Sequence, residues 1–119
     1  MLYNQIIPKE KIEKLKKRNI IGDNDKVSLF FDNSTFLTAK RGIVCTEKTL
    51  IFFNSKTIEK FNYEDIDSLV FEEVDKESYT YKILVKLKNN ELKDITPKSA
   101  SNDEMKLIVD IFNKNILHR

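Results

Sequence analysis

The residues whose type and spacing could do chemistry are mainly charged, and the densest group is a basic run near the start of the sequence. Glu10 and Glu13 interrupt this run, so six cations against two acids leave a local charge of +4. The run could contact an anionic lipid surface, a nucleic acid or an acidic partner. It could equally be the solvated face of a helix with ion pairs such as Glu10–Lys14 and Glu13–Lys17. The cations are Lys9, Lys11, Lys14, Lys16, Lys17 and Arg18.

A second charged group, of opposite sign, lies between residues 62 and 78 and contains a single cation, Lys76. Its spacing follows no calcium-loop template, and strand neighbours such as Glu72 and Glu73 point to opposite faces, so we expect no metal site. The stretch is complementary in charge to the basic run, which favours contacts between copies of the chain. Its acids are Glu64, Asp65, Asp67, Glu72, Glu73, Asp75 and Glu77.

The candidate nucleophiles do not form a catalytic set. A cysteine nucleophile needs a basic partner, and the only histidine is His118, in a segment that we expect to fray. Cys45 lies among apolar strand residues and is predicted to be a core residue. Two glycines cannot form a phosphate-binding loop. We therefore expect no enzymatic activity, no cofactor and no metal, and an enzyme with a pocket in a barrel mouth is the least favoured function.

The aromatic residues do not form a base-stacking platform. Such a platform interleaves aromatic and basic side chains on one sheet face, whereas Tyr79 and Tyr81 alternate with Lys82 on opposite faces. The net charge of +2 provides no global field that would attract nucleic acid. We therefore expect no nucleic-acid partner, and we expect core positions for the aromatic residues Phe30, Phe36, Phe53 and Tyr79.

Length and composition indicate one soluble domain. The chain has 119 residues, which is a usual size for one domain, and 40% of them are hydrophobic. No apolar run approaches the ~20 residues that a membrane helix needs, and the first residues do not resemble a secretory signal. One cysteine cannot form an internal disulfide, which fits a reducing compartment, so we expect a cytoplasmic protein.

The apolar periodicity changes twice along the chain. Residues 8–18 favour a short helix with a narrow apolar stripe, and a capping box at Ser101 and Glu104 begins a long amphipathic helix. Between the helices the period is two, which predicts strands joined by short turns. Gly42 lies inside one of them and predicts a bulge or a sharp bend. The predicted strands cover residues 27–31, 36–46, 50–53, 57–61, 68–74, 79–88 and 91–96.

These elements predict an α+β fold. Short turns require antiparallel neighbours, and about seven antiparallel strands bury their apolar face by curling into a barrel or into two packed sheets. The C-terminal amphipathic helix would cap the open end of such a barrel. We therefore divide the chain into an N-terminal helix and lead-in over residues 1–25 and a capped barrel over residues 26–119.

Two segments resemble motifs of bacterial pleckstrin-homology-like domains. The stretch from Ala39 to Phe53 is similar to their hairpin of glycine, apolar strand, threonine, charged turn and apolar strand. The stretch from Phe61 to Leu69 resembles their Tyr-x-Asp-Ile-x-Ser-apolar corner. The resemblance covers residues 26–117 and implies a barrel capped by a helix. Some members of that family assemble as rings or higher oligomers. The basic phosphoinositide-binding loop of eukaryotic relatives is not matched, because residues 32–35 are Asp-Asn-Ser-Thr.

The sequence thus predicts a non-enzymatic interaction module of pleckstrin-homology-like type that binds protein, including further copies of itself. An exposed strand edge is the expected binding surface, either for an added peptide strand or for another subunit. The alternative is a peripheral module that docks on an anionic membrane through the cations between Lys9 and Arg18.

Overall fold

The computed structural model describes residues 1–34 and 38–117, and it confirms the predicted α+β class. The described residues form eight strands in two antiparallel sheets, together with a C-terminal helix, where we predicted about seven strands. The chain divides into two compact units, Met1–Asn62 and a second that begins at Tyr63. Each unit contains one of the sheets.

The first unit contains a short helix and a five-stranded sheet. Helix α1 spans Lys9–Lys17, close to the predicted residues 8–18. The strands follow one another in the sheet in chain order, and each pair is antiparallel. They are β1 (Leu2–Asn4), β2 (Leu29–Asp32), β3 (Gly42–Cys45), β4 (Thr49–Phe53) and β5 (Ile58–Asn62).

Two strand predictions in this unit need correction. The sequence did not predict β1, which has three residues and depends on pairing with β2. The strand predicted over residues 36–46 begins only at Gly42, because Ala39 has a positive φ of 58° and bends the chain before it. Residues 36 and 37 of that prediction lie outside the described residues.

The buried cluster of the first unit joins α1 to the sheet. Leu15 of α1 is fully buried, and Phe30 stacks between Tyr3 and Phe53 with ring centroids 6.1 and 6.3 Å apart. Gly42 lets β2 and β3 approach closely, because a Cβ there would lie 2.0 Å from the carbonyl oxygen of Phe31. The cluster consists of Leu15, Ile20, Ile21, Phe30, Ala39, Val44, Ile51 and Phe53.

The second unit is a three-stranded sheet followed by a helix. A 3₁₀ turn at Tyr63–Asp65 leads into the strands, which are ordered β6–β7–β8 in the sheet, so β6 is an edge strand. The strands are β6 (Ile66–Asp75), β7 (Thr80–Leu87) and β8 (Leu92–Asp94), and the helix is α2 (Asn102–Ile111), which continues into a π-helical turn, Phe112–Ile116.

Helix α2 begins where the sequence predicted it. The Ser101 hydroxyl accepts a hydrogen bond from the Glu104 amide, and the Glu104 carboxylate accepts one from the Ser101 amide, each at 3.1 Å. The capping box is therefore confirmed. The helix packs against β6 and β7, and Phe112 contacts the ring of Tyr63 edge-on. Among residues 1–34 and 38–117, no helix is long and apolar enough to cross a membrane.

Candidate interaction surfaces

The basic run does not lie on one surface, because Lys11 is turned into the protein. Its ammonium lies 3.0 Å from the Asp32 carboxylate, and the side chains of Lys11 and Asp32 are 7% and 0% exposed. Lys11 and Leu15 are four residues apart and therefore share the helix face that docks on the sheet. Lys11 is thus removed from the predicted anionic-surface contacts, because its charge is already neutralised inside the protein.

Asp32 connects α1 to the loop that follows β2. Its Oδ2 accepts hydrogen bonds from Lys11 Nζ and the Ala39 amide, and its Oδ1 accepts from the amide and hydroxyl of Ser34. Burial by itself raises the pKa of this carboxyl, but the hydrogen bonds from Ser34 and Lys11 outweigh it and hold the pKa below its ordinary value. The sequence pattern identified only a turn here, since the partner lies 21 residues away.

The remaining five cations are spread around α1 and its C-terminus. Lys9, Lys14, Lys17 and Arg18 are exposed, whereas Lys16 is only 26% exposed in its side chain and lies 4.0 Å from Glu13. At about 100° per residue, these side chains cover roughly 200° of the helix circumference, with both acids among them. A flat anionic surface could therefore contact only part of the set at one time.

Strand β5 is a free edge of the first sheet. The Asn54 amide donates to the Thr57 carbonyl at 2.9 Å and closes the hairpin between β4 and β5. In an antiparallel ladder the hydrogen-bonded positions then alternate, so every second residue of β5 points its backbone groups away from β4. No other described strand pairs on that side. The residues whose backbone amide and carbonyl point away from β4 are Ile58, Lys60 and Asn62.

Strand β6 is a free edge of the second sheet, and the chain covers part of it. The Leu69 amide donates to Asn113 Oδ1, and Asn113 Nδ2 donates to the Leu69 carbonyl, both at 2.9 Å. Asn113 thus replaces a neighbouring strand at this one residue. The backbone amide and carbonyl of Leu69 therefore point away from β7. Because this direction alternates along a strand, the backbone groups of Phe71 and Glu73 also point away from β7.

The hydrogen bonds between β7 and β8 support this direction for the backbone groups of Phe71. Ile83 pairs with Phe71, and its amide and carbonyl are bonded to Thr96 and Ile95 on the β8 side. They are therefore not bonded to Phe71, whose amide and carbonyl face outward. We call the segment Phe71–Asp75 the outer half of β6. No described strand pairs with it on its outward side.

The side chains around the outer half of β6 are aromatic and acidic. The rings of Phe71 and Tyr81 stack with centroids 4.5 Å apart and planes 10° apart. The Tyr81 hydroxyl donates to the Glu73 carboxylate at 2.9 Å, and this hydrogen bond raises the pKa of Tyr81. On the opposite face, Lys82 lies 3.6 Å from Glu72. The surface thus combines free backbone groups, an aromatic stack and negative charge.

Among the aromatic core predictions that fall on described residues, the one at the tip of this hairpin is wrong. Phe30 and Phe53 are buried as predicted, whereas Tyr79 is 73% exposed. The prediction for Tyr79 is wrong because the residue lies in the turn, with a positive φ of 52° and its carbonyl bonded to the Asn102 side chain. Phe36 lies outside the described residues. The strand pattern of residues 79–88 gave no sign that its first residue belongs to a turn.

The residues considered for catalysis or metal binding are not brought together. Cys45 is fully buried in β3, which confirms its predicted core position. His118 lies outside the described residues. Within 1–34 and 38–117, no group of three or more His, Cys, Asp or Glu side chains could hold a metal ion.

No family model, no curated protein and no solved structure matches this chain.

Proposed function

We propose that the chain is a non-enzymatic interaction module of the cytoplasm that binds a protein segment as an additional strand on the outer half of β6. The observation that carries this proposal is the edge itself. By alternation along the strand, the four backbone groups of Phe71 and Glu73 face the unpaired side of β6, whereas Leu69, two residues before Phe71, is already bonded by Asn113. An extended polypeptide is the ligand whose hydrogen-bonding groups have the matching spacing.

A pleckstrin-homology-like architecture is part of this proposal. It is supported by the element order, in which antiparallel hairpins precede one C-terminal helix, and by two local features. Gly42 stands at the close approach of β2 and β3, and the Tyr63–Asp65 turn leads directly into β6. Two antiparallel sheets with open edges, followed by the C-terminal helix, are the form of this architecture that we propose for these elements.

Strand addition would provide useful but moderate affinity. A hydrogen bond formed in place of one to water contributes about 0.5–1.5 kcal/mol, so four bonds contribute on the order of 2–6 kcal/mol before the cost of ordering the segment. Contacts between side chains must supply the remainder of the binding free energy.

A second copy of the chain is one partner that could provide the added strand, and light scattering distinguishes an oligomer from a monomer.

Proline substitutions on two of the edge strands, β6 and β5, test the proposal. Glu73→Pro removes an outward amide from β6 without removing a bond to β7, and Lys60→Pro does the same for the outward amide of β5. Wild-type protein is first used to select binders from a displayed library of random nine-residue peptides. We expect selected peptides to bind wild type and Lys60→Pro equally and to lose binding to Glu73→Pro.

Each variant is checked by thermal unfolding, and Glu73→Pro is compared with Glu73→Gln, which also removes the carboxylate but keeps the amide. Selected peptides that bind Glu73→Pro as tightly as wild type would contradict strand addition at β6. Loss of binding in Lys60→Pro alone would instead move the site to β5.

Membrane docking through the basic helix is the second candidate, favoured by the exposure of Lys9, Lys14, Lys17 and Arg18. Co-sedimentation with anionic vesicles tests it, using Lys14→Glu, Lys16→Glu and Lys17→Glu together. The matched control carries three charge reversals elsewhere, at the exposed residues Lys48, Lys56 and Lys60. Because the helix cations diverge, we expect the two triple variants to sediment alike. Selective loss in the helix variant would favour the membrane function.

A further inference from the structure

We infer that the segment bound by the outer half of β6 is basic, with an arginine or lysine facing Glu73. This inference rests on the proposed strand addition and adds the chemistry of the partner. Its basis is the set of side chains that an added strand would meet, on both faces of β6 and at both ends of the free segment.

The net charge along this edge is negative. Residues 72–77 contain four acids and one cation, Lys76, and all six residues are exposed. Lys82 lies near Glu72, whereas Glu73 is bonded only to an uncharged hydroxyl, that of Tyr81, among the contacts described. An acidic segment would therefore be repelled along the whole edge, and a basic one attracted.

The face that carries Glu73 is suited to arginine in particular. Residues 71 and 73 of β6 and residue 81 of β7 point to the same face, where the Phe71–Tyr81 stack lies beside the Glu73 carboxylate. A guanidinium can lie against an aromatic ring and at the same time donate two hydrogen bonds to a carboxylate. A partner residue paired with Glu73 would place its side chain on this face.

Two features limit the length of the bound core. Asn113 occupies the backbone groups of Leu69 at one end, and the register shift between Glu73 and Asp75 ends regular pairing at the other. The free segment therefore accommodates about three paired residues. The partner would place an apolar residue opposite Phe71, a small or basic residue opposite Glu72 and an arginine opposite Glu73.

Fluorescence anisotropy with three labelled peptides tests this inference on the full chain. The parent is a nine-residue extended peptide whose three central residues are an apolar residue, a lysine and an arginine, placed to face Phe71, Glu72 and Glu73 in that order. One twin replaces the basic residues by glutamate, and the other keeps every side chain but is N-methylated at the central amides. We expect the parent to bind, the glutamate twin not to bind, and the methylated twin to lose binding because it cannot pair with the edge.

Charge-removing variants locate the contact. Glu73→Gln should weaken the parent peptide about fivefold, at the upper end for an exposed ion pair, because the aromatic stack remains in place. Asp75→Asn with Glu77→Gln should weaken it less, by about twofold to threefold, and raised salt should shrink both effects. The matched control is Glu59→Gln, which removes an exposed carboxylate on β5 and should leave the affinity unchanged.

The outcomes separate this inference from the proposed function. An unchanged affinity in Glu73→Gln, equal binding of the glutamate twin, or no binding of the parent at about millimolar protein overturns the basic partner. Strand addition still stands in those cases if library-selected peptides without basic residues lose binding to Glu73→Pro. Equal binding of the methylated twin overturns both, because the contact would then be charge attraction without pairing.

Discussion

The free edge of β5 and the outer half of β6 present the same kind of backbone groups but surround them with different side chains. On β5, Glu59 and Lys60 are adjacent and of opposite sign. On β6, Glu72, Glu73 and Asp75 carry a single sign, and the aromatic stack lies beside them. The chain also covers one residue of β6 with Asn113.

We infer from this difference that the side chains beside an unpaired backbone decide whether a strand edge binds a partner. Charged side chains of mixed sign, lysine above all, are a common protection of edge strands against unwanted pairing. A run of one sign instead repels one class of segment and attracts another. We therefore regard β5 as a protected edge and the outer half of β6 as a selective one.

The largest effect is expected away from both edges, at the buried ion pair of the first unit. Lys11→Met keeps the apolar stem of the side chain but leaves the Asp32 carboxylate without its cation. We expect the free energy of unfolding to fall by about 3 kcal/mol, as when one partner of a buried pair is removed. Chemical denaturation measures it, and Lys14→Met on the exposed face is the matched control. Equal stability of the two variants would mean that the buried charge is solvated.

The next effect concerns the covered part of β6. Asn113→Ala leaves the Leu69 amide and carbonyl without partners, so we expect a loss of about 1–3 kcal/mol and faster hydrogen exchange at the Leu69 amide. Asn115→Ala, exposed in the same π-helical turn, is the control. If exchange at Leu69 is unchanged, Asn113 does not protect this edge, and the contrast between its inner and outer parts disappears.

A smaller effect on the free energy of unfolding is expected when the pH is lowered. The pKa of Asp32 is lowered in the folded state, so its stabilisation is complete above the ordinary value of 3.8 and is lost as the pH falls below it. The free energy of unfolding should therefore decrease as the pH falls below about 4. The decrease should be shallower in Asp32→Asn, which cannot titrate at this position. An identical slope in the variant would assign the acid sensitivity to other carboxylates.

The smallest effect is expected on the protected edge. Lys60→Thr keeps the outward amide and a residue that is favourable in strands, so stability should change by less than about 0.5 kcal/mol. The variant should, however, self-associate more readily at high concentration, since a lysine no longer blocks the edge. Sedimentation velocity measures this. An unchanged monomer would show that β5 is protected by something other than Lys60.

Local signals predicted most of the elements, whereas contacts between distant residues could not be predicted. The capping box at Ser101 and the helix at residues 8–18 depend on neighbours within one helical turn, and both are confirmed. The burial of Lys11 depends on Asp32, 21 residues away, and the cover on Leu69 depends on Asn113, 44 residues away. No periodicity encodes such pairs. The expectation of a free strand edge was general, and only the sheet order identified β5 and β6 among the edge strands of the described residues.

The position of Cys45 gives the first unit an internal reporter. Its thiol is fully buried in β3, between β2 and β4, and it is the only cysteine in the chain. A thiol-reactive dye could modify it only in molecules whose five-stranded sheet has opened. The rate of labelling would therefore measure how often that sheet opens, with no engineered probe and no signal from the other unit.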